Sequence, residues 1–198
     1  MIIGIDIDDT ITDTYEVMMN YAQRYTIDVL KREPIINENG NCPDHFYTKY
    51  LHNWQDGEDL EFLDEYYEKI IKNVKPKTLA LEYLKMLQDE GNKIILITAR
   101  WESKKFDVRQ ATQEWVMKNN IPCHKLIINA ENKLIAAKQE NVEVFIDDSF
   151  KNCKMVTDSG IKTFLMDTRV NRGLEDEKIK RVYSWPHLYM KVNEDKHM

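Results

Sequence analysis

Two rhythms of apolar and polar residues alternate along this chain. Short continuous apolar runs, rich in Ile, Val and Leu, stand at 1–5, 93–98, 125–128, 142–146 and 163–166. Runs of this length and composition read as strands buried on both faces. Between them, apolar residues recur every three or four positions, as on a helix with one buried face. Ala80, Tyr83, Leu84 and Leu87 form one such stripe, and Val108, Ala111, Thr112 and Trp115 another. Gly91 stands where the first of these helices should stop. Shorter helices are predicted at 134–138, around 152–157 and near 185–192, with a polar loop over 167–177. Strands and helices in alternation predict an α/β fold with a parallel sheet and right-handed crossovers.

Residues 13–76 break the alternation and contain no clear strand. Met18, Tyr21, Ala22 and Tyr25 share a helical face, and Glu33-Pro34 should end that helix, because the residue before proline avoids helical backbone. Asn37 to Asp44 reads as a loop. Phe46, Tyr47, Tyr50, Leu51 and Trp54 form an aromatic cluster on a short helix. Asp59 is placed to cap a longer helix whose apolar face is Leu60, Leu63, Tyr67, Ile70, Ile71 and Val74. The segment is therefore expected to be an all-helical insert, 13–76, in a core made of 1–12 and 77–198. Its ends, after Thr12 and before Lys77, must lie near the first strand, so the insert should cover that strand's end as a lid.

The length of 198 residues suits one core domain with an insert. No apolar run is long enough to cross a membrane, and no basic segment precedes an apolar one at the N-terminus. Cys42, Cys123 and Cys153 are scattered without metal-type spacing, as expected of reduced thiols in a cytoplasmic protein. His45 and His52 lack a carboxylate or thiol partner and read as surface residues. A formal net charge of -6 argues against a nucleic-acid polymer as partner. A small anionic substrate stays compatible with it if a cation and local positive groups receive the anion. The question of a homo-oligomer stays open.

Polar chemistry gathers at the ends of the strands. Asp6 and Asp8 follow the first, Thr98 ends the second, Lys133 opens the helix after the third, and Asp147 and Asp148 follow the fourth. Taken singly, each has an ordinary explanation as turn, cap or solvated charge. Together they mark one edge of the sheet, the edge where open α/β sheets bind ligands.

The segments Asp6-Ile7-Asp8-Asp9-Thr10, Ile97-Thr98, Lys133 and Ile146-Asp147-Asp148 resemble, in order and spacing, the four motifs of the haloacid dehalogenase-like superfamily of phosphohydrolases. Within it, Leu96 to Arg100, Asn132-Lys133 and Val182 to Trp185 look like the bacterial branch of the 5′(3′)-deoxyribonucleotidases. The resemblance implies a Rossmann-like three-layer core with an all-helical cap inserted after the first strand. It implies Asp6 as nucleophile, Asp8 as general acid and then base, and Thr98 and Lys133 as catalytic partners of the phosphoryl group. Thr98, Ala99, Arg100 and Lys133 would bind substrate. Mg²⁺ would be held by Asp6, the Asp8 carbonyl, Asp147 and Asp148, a hard oxygen set that suits this ion.

An acid at the second motif position favours a phosphatase over a dehalogenase. The resemblance therefore implies a Mg²⁺-dependent phosphomonoester hydrolase with an aspartyl-phosphate intermediate, acting on nucleoside monophosphates. The alternatives are a phosphatase of another small phosphoester, such as a sugar phosphate, or a catalytically silent binding protein of the same fold. The insert's aromatics could stack on a base, although aromatics at helical spacing more often form a core. Arg169 and Arg172 of the loop after the last strand could meet phosphate, although a solvated loop is the ordinary reading. Asp9 reads as a turn residue.

Overall fold

The computed structural model describes residues 1–35, 48–49 and 52–194. Six strands form one parallel sheet: β1 (Ile2–Ile5), β2 (Lys93–Ile97), β3 (Lys125–Ile127), β4 (Val144–Asp147), β5 (Lys162–Met166) and β6 (Lys180–Val182). Their spatial order is β3-β2-β1-β4-β5-β6. The chain winds outward from β1 through β2 and β3, then returns to build the other half from β4. The order thus reverses between β1 and β4, and in such sheets a crevice opens beyond the strand ends at that point. Ile5 of β1 lies opposite Leu96 of β2 and Ile146 of β4, so the residues that follow all three emerge together.

Alternation along the strands builds two apolar layers. On one face Ile3, Ile5, Leu96, Ile146 and Phe164 pack with Leu84 and Leu87 of α3 (Ala80–Asp89), Trp115 of α4 (Val108–Lys118) and Leu188 of α7 (Trp185–Asn193). On the other, Ile95, Ile97 and Phe145 pack with Ala136 and Ala137 of α5 (Lys133–Gln139) and Val156 of α6 (Phe150–Thr157). The core is therefore three-layered. Gly4 belongs to the second face, where a Cβ would stand 3.1 Å from both Ile97 and Val142. Its missing side chain lets those two residues close over the central strand.

Residues 13–76 supply α1 (Thr14–Asp28) and α2 (Glu58–Asn73). Phe62 of α2 is fully buried among Tyr25, Trp54 and Tyr66, with ring centroids 5.0–5.7 Å away. The two ends of the segment are tied together at the core. Thr12 and Pro76 form an antiparallel bridge, and the Lys77 amide donates to the Ile11 carbonyl at 2.7 Å. The Trp115 indole N–H also donates to the Val74 carbonyl at 2.8 Å, which ties the exit of α2 to α4.

Several elements differ from their sequence expectations. The helix α2 begins at Glu58 behind Gly57, whose φ of 93° sets the turn, and not at an Asp59 cap. Leu60 is 64% exposed, while Phe62 and Tyr66 are buried. The cause is that α2 buries two stripes, one against α1 and one, through Tyr67 and Ile71, against Val108 and Ala111 of α4. The helix α1 ends at Asp28, well before Pro34. A 3-10 turn at Arg169–Asn171 stands within the loop expected over 167–177, and β6 follows beyond it, where no element was expected. His52 is buried, not on the surface, and its ring stacks on Trp54. Cys42, His45, Phe46, Tyr47, Tyr50, Leu51 and the loop from Asn37 to Asp44 lie outside the described residues. Among the described residues, Cys123 and Cys153 are free thiols, and no helix is long and apolar enough to cross a membrane.

Candidate active site

The strand ends bring the predicted polar residues to one place. Asp6 directly follows β1, and its amide continues the ladder by donating to Ile146 at 2.9 Å. Asp147 ends β4, fully buried. The Lys133 ammonium, from the first turn of α5, lies between them. It donates to Asp6 and, at 2.8 Å, to Asp147. Asp147 also accepts from the Ser149 amide at 2.8 Å and from the Asn152 amide group at 3.2 Å.

Asp6, Asp147 and Asp148 each bring a carboxylate oxygen within 4.8 Å of the others. Burial first, then the charge of Asp147, pushes the Asp6 pKa up to about 7 against the pull of Lys133. Burial and the neighbouring carboxylates Asp9, Asp147 and Asp6 likewise raise Asp148. Burial alone would lower Lys133, but Asp147 and Asp6 hold its pKa above the ordinary value. Three carboxylates around one cation-sized space, with a net negative excess after Lys133, fit a hard divalent ion that prefers oxygen ligands.

Asp8 stands beside this group in a different setting. Both its oxygens are gripped by Arg100, whose Nε and Nη2 each donate at 2.9 Å. The Thr14 hydroxyl donates to it at 2.8 Å, and the Thr98 hydroxyl stands at 3.5 Å. Burial would raise its pKa, but the Arg100 charge and these hydrogen bonds hold it below the ordinary carboxylate value. Arg100 is itself buried; its Nη1 donates to Thr112 at 3.3 Å, and its face lies over Trp115. Thr98 is buried at the end of β2 and accepts from the Arg100 amide at 3.3 Å. Ala99 lies half-buried between them.

Sequence reasoning passed over several supports. Thr14 holds Asp8 from the start of α1, so the insert already reaches the site. Asp9, in left-handed backbone at φ 59°, caps α1 by accepting from the Tyr15 amide at 2.7 Å. Thr10 donates to Asp148 at 3.4 Å. Asn171 donates to the carbonyls of Asp148 at 2.7 Å and Met166 at 2.8 Å, and Arg181 secures it in turn. The Thr168 amide donates to the Asn171 side-chain oxygen at 3.1 Å, which closes that turn. Arg172 pairs with Asp167 at 3.4 Å, on the loop after β5. Trp54 lies in the insert core, 5% exposed, and donates its indole N–H to the Thr26 hydroxyl at 2.9 Å.

The family described as 5′ nucleotidase, deoxy (pyrimidine), cytosolic type C protein matches residues 1–196. The chain belongs to this nucleotidase family. A curated nucleotidase of Clostridium acetobutylicum is 29% identical over 198 aligned residues, covering 94% of this chain and 91% of that protein. Among solved structures, a haloacid dehalogenase-like family hydrolase from Streptococcus pneumoniae aligns with a TM-score of 0.65 at 12% identity, covering 96% of this chain and 97% of that one. A HAD-superfamily hydrolase of subfamily IA from Geobacter sulfurreducens aligns at 0.62, also with 12% identity and 97% coverage of each. At such identities the structures speak for the fold. This nucleotidase-family chain is thus a phosphomonoester hydrolase of the haloacid dehalogenase-like fold, and its substrate is a small phosphorylated molecule.

Proposed function

We propose that the protein is a Mg²⁺-dependent phosphatase of nucleoside monophosphates that works through an aspartyl-phosphate on Asp6. One observation carries this reading: Asp6, Lys133, Asp147 and Asp148 converge at the switch point of the sheet with Asp8 fixed beside them. In the first half-reaction an Asp6 oxygen attacks phosphorus while the ester oxygen departs with a proton from Asp8. In the second, water attacks the acyl phosphate, Asp8 takes its proton, and phosphate leaves with Asp6 restored. Arg100 favours the carboxylate form of Asp8, the form that this second step needs. Lys133 stays charged and offsets negative charge on the phosphoryl oxygens.

Asp6, the Asp8 carbonyl, Asp147 and Asp148 would hold Mg²⁺, which when bound supplies charge neutralisation for the phosphate dianion and its transition state. The Thr98 hydroxyl is assigned to a phosphoryl oxygen. Arg100 is assigned chiefly to Asp8, since Asp8 and Thr112 engage all three of its nitrogens in this structure. Residues 13–76 are read as a cap domain on a core of 1–12 and 77–198, supported by the tie between Thr12 and Pro76. Such a cap excludes water and completes the contacts to the leaving group.

The test is phosphate release from a panel of ribo- and deoxyribonucleoside monophosphates, sugar phosphates and p-nitrophenyl phosphate, with Mg²⁺ and with chelator. The reading expects Mg²⁺-dependent turnover with kcat/KM highest for a nucleotide. A preference for sugar phosphates would replace the substrate, and turnover undiminished by chelator would remove the metal.

A further inference from the structure

Asn171 closes the 3-10 turn after β5, and it is buried with every hydrogen-bonding position of its side chain filled. Its oxygen accepts from the Thr168 amide at 3.1 Å and from Arg181 Nη1 at 2.6 Å. Its amide nitrogen donates to the Met166 carbonyl at 2.8 Å and to the Asp148 carbonyl at 2.7 Å. The contact with Thr168 is enough to close the turn. The nitrogen does something else: it joins the end of β5 to the segment that leaves β4. The register of those two strands ends with Asp147 opposite Leu165, one residue before Asp148. Asn171 carries the connection onward, in place of the ladder, to a residue assigned to the metal.

Asp148 needs such a support more than its neighbours do. The carboxylates of Asp6 and Asp147 both take the Lys133 ammonium, and Asp147 adds the Ser149 amide and the Asn152 side chain. Among the described residues, the one hydrogen bond to the Asp148 carboxylate comes from the Thr10 hydroxyl at 3.4 Å. Asp9, Asp147 and Asp6 face it with like charge, and Lys133 is the weaker, opposing influence. The carboxylate therefore stands where its backbone puts it, and Asn171 holds that backbone. Arg181 of β6 holds Asn171 in turn. Beyond the side-chain oxygen, it donates to the Asn171 carbonyl at 3.0 Å and the Leu174 carbonyl at 2.6 Å, and Asp167 meets its charge at 2.8 Å.

We infer that Asn171 is a positioning residue for the metal site: by holding the Asp148 carbonyl it sets where the Asp148 carboxylate stands, and with it the affinity for Mg²⁺. Groups behind a metal ligand tune affinity without touching the ion. The inference rests on the Mg²⁺ reading above and is independent of which phosphoester is the substrate.

The experiment compares full-length wild-type protein with Asn171→Ala. Each is titrated with Mg²⁺ alone by calorimetry, and the Mg²⁺ concentration that half-activates turnover of p-nitrophenyl phosphate is measured beside it. Both half-points should rise about tenfold, the lower end of what loss of an outer support costs, because Asn171 acts through the backbone of the ligand. Turnover at saturating Mg²⁺ should return close to the wild-type value. A purely structural role would lower the melting temperature, or turnover at saturating Mg²⁺, with the affinity unmoved, and either result overturns the inference. If Asn171→Ala does not fold, Arg181→Lys decides by the same criterion. Lysine keeps the charge beside Asp167 but lacks the fork that holds Asn171 at two points, so a smaller rise in the same direction is expected. An unmoved affinity in that variant overturns the inference. Wild-type protein that binds no Mg²⁺, or turns over fully with chelator, removes the metal reading and this inference with it. Hydrolysis of p-nitrophenyl phosphate but of no nucleotide removes the nucleotide reading alone.

Discussion

The acid-lined edge of the sheet and the aromatic centre of the insert are held by opposite means. At the edge, Asp6, Asp8, Asp147 and Lys133 are fixed by charged hydrogen bonds, all buried or partly buried, and each carboxylate has at least one designated donor. In the insert, Tyr25, Trp54, Phe62 and Tyr66 are fixed by ring contacts, with Trp54 to Thr26 as a buried hydrogen bond between them. Electrostatic arrangements set chemistry, because each group is aimed at a developing charge. Apolar packing sets stability and shape, because its worth scales with buried area. Substitutions in the two regions should therefore fail differently.

The largest effect is expected at Asp6. Asp6→Asn keeps the shape but removes the proposed nucleophile, and should reduce kcat by about 10⁴–10⁶, the range seen when a covalent catalytic group is deleted. Nucleotide and p-nitrophenyl phosphate should fall together. Residual turnover within about tenfold of wild type would place the nucleophile elsewhere.

Asp8→Asn should separate the two substrates. A nucleotide leaves as an alkoxide and needs a proton, whereas p-nitrophenolate leaves readily without one. The kcat/KM of the nucleotide should drop by about 10²–10⁴ relative to that of p-nitrophenyl phosphate. The ratio kcat/KM reports steps up to the proposed aspartyl-phosphate, so slow hydrolysis of that intermediate would not mask the gap. Equal losses, with chemistry limiting, would take the acid role away from Asp8.

Phe62→Ala tests the other region. Removing a fully buried ring at the centre of the insert should cost about 3–5 kcal/mol. If 13–76 is a cap in its own right, cleavage within it by a trace protease should appear before the core melts. Preference among substrates should be lost while p-nitrophenyl phosphate is still turned over. A single cooperative melt, with both activities lost in parallel, would mean that insert and core fold as one unit.

What the sequence revealed follows the same division. Strands buried on both faces read as uninterrupted apolar runs, so their ends, and the acids at those ends, could be located residue by residue. Asp6, Thr98, Lys133 and Asp147 did meet for that reason. A helix that buries two stripes has no single readable face, and α2 was misregistered at Leu60, Phe62 and Tyr66. The edge strand β6 escaped notice because only Val182 of its three residues is buried. Long-range pairs were invisible too. Arg100 is 92 residues from Asp8, and nothing in the run from Leu96 to Arg100 says that the guanidinium turns toward the acid.

Arg100 ties the acid-lined edge to α4, and Arg100→Lys should have the smallest effect of the series. The guanidinium does three jobs at once: a two-pronged grip on Asp8, a hydrogen bond to Thr112 and a stacked face on Trp115. Lysine keeps the charge, but its ammonium lacks the planar fork and cannot serve the three together. Asp8 would keep the Thr14 hydroxyl at 2.8 Å and so would be loosened, not released. The expected loss is therefore well below that of Asp8→Asn, about three- to tenfold in nucleotide kcat/KM, in line with one weakened hydrogen-bonded contact. Because a misaimed acid matters little to a good leaving group, p-nitrophenyl phosphate should lose less than the nucleotide. A guanidinium that instead bound the phosphoryl group would give another pattern, with KM rising for both substrates by the same factor and the ratio of their kcat/KM values unmoved. That result would make Arg100 a substrate ligand and leave Thr14 as the closest remaining support of Asp8.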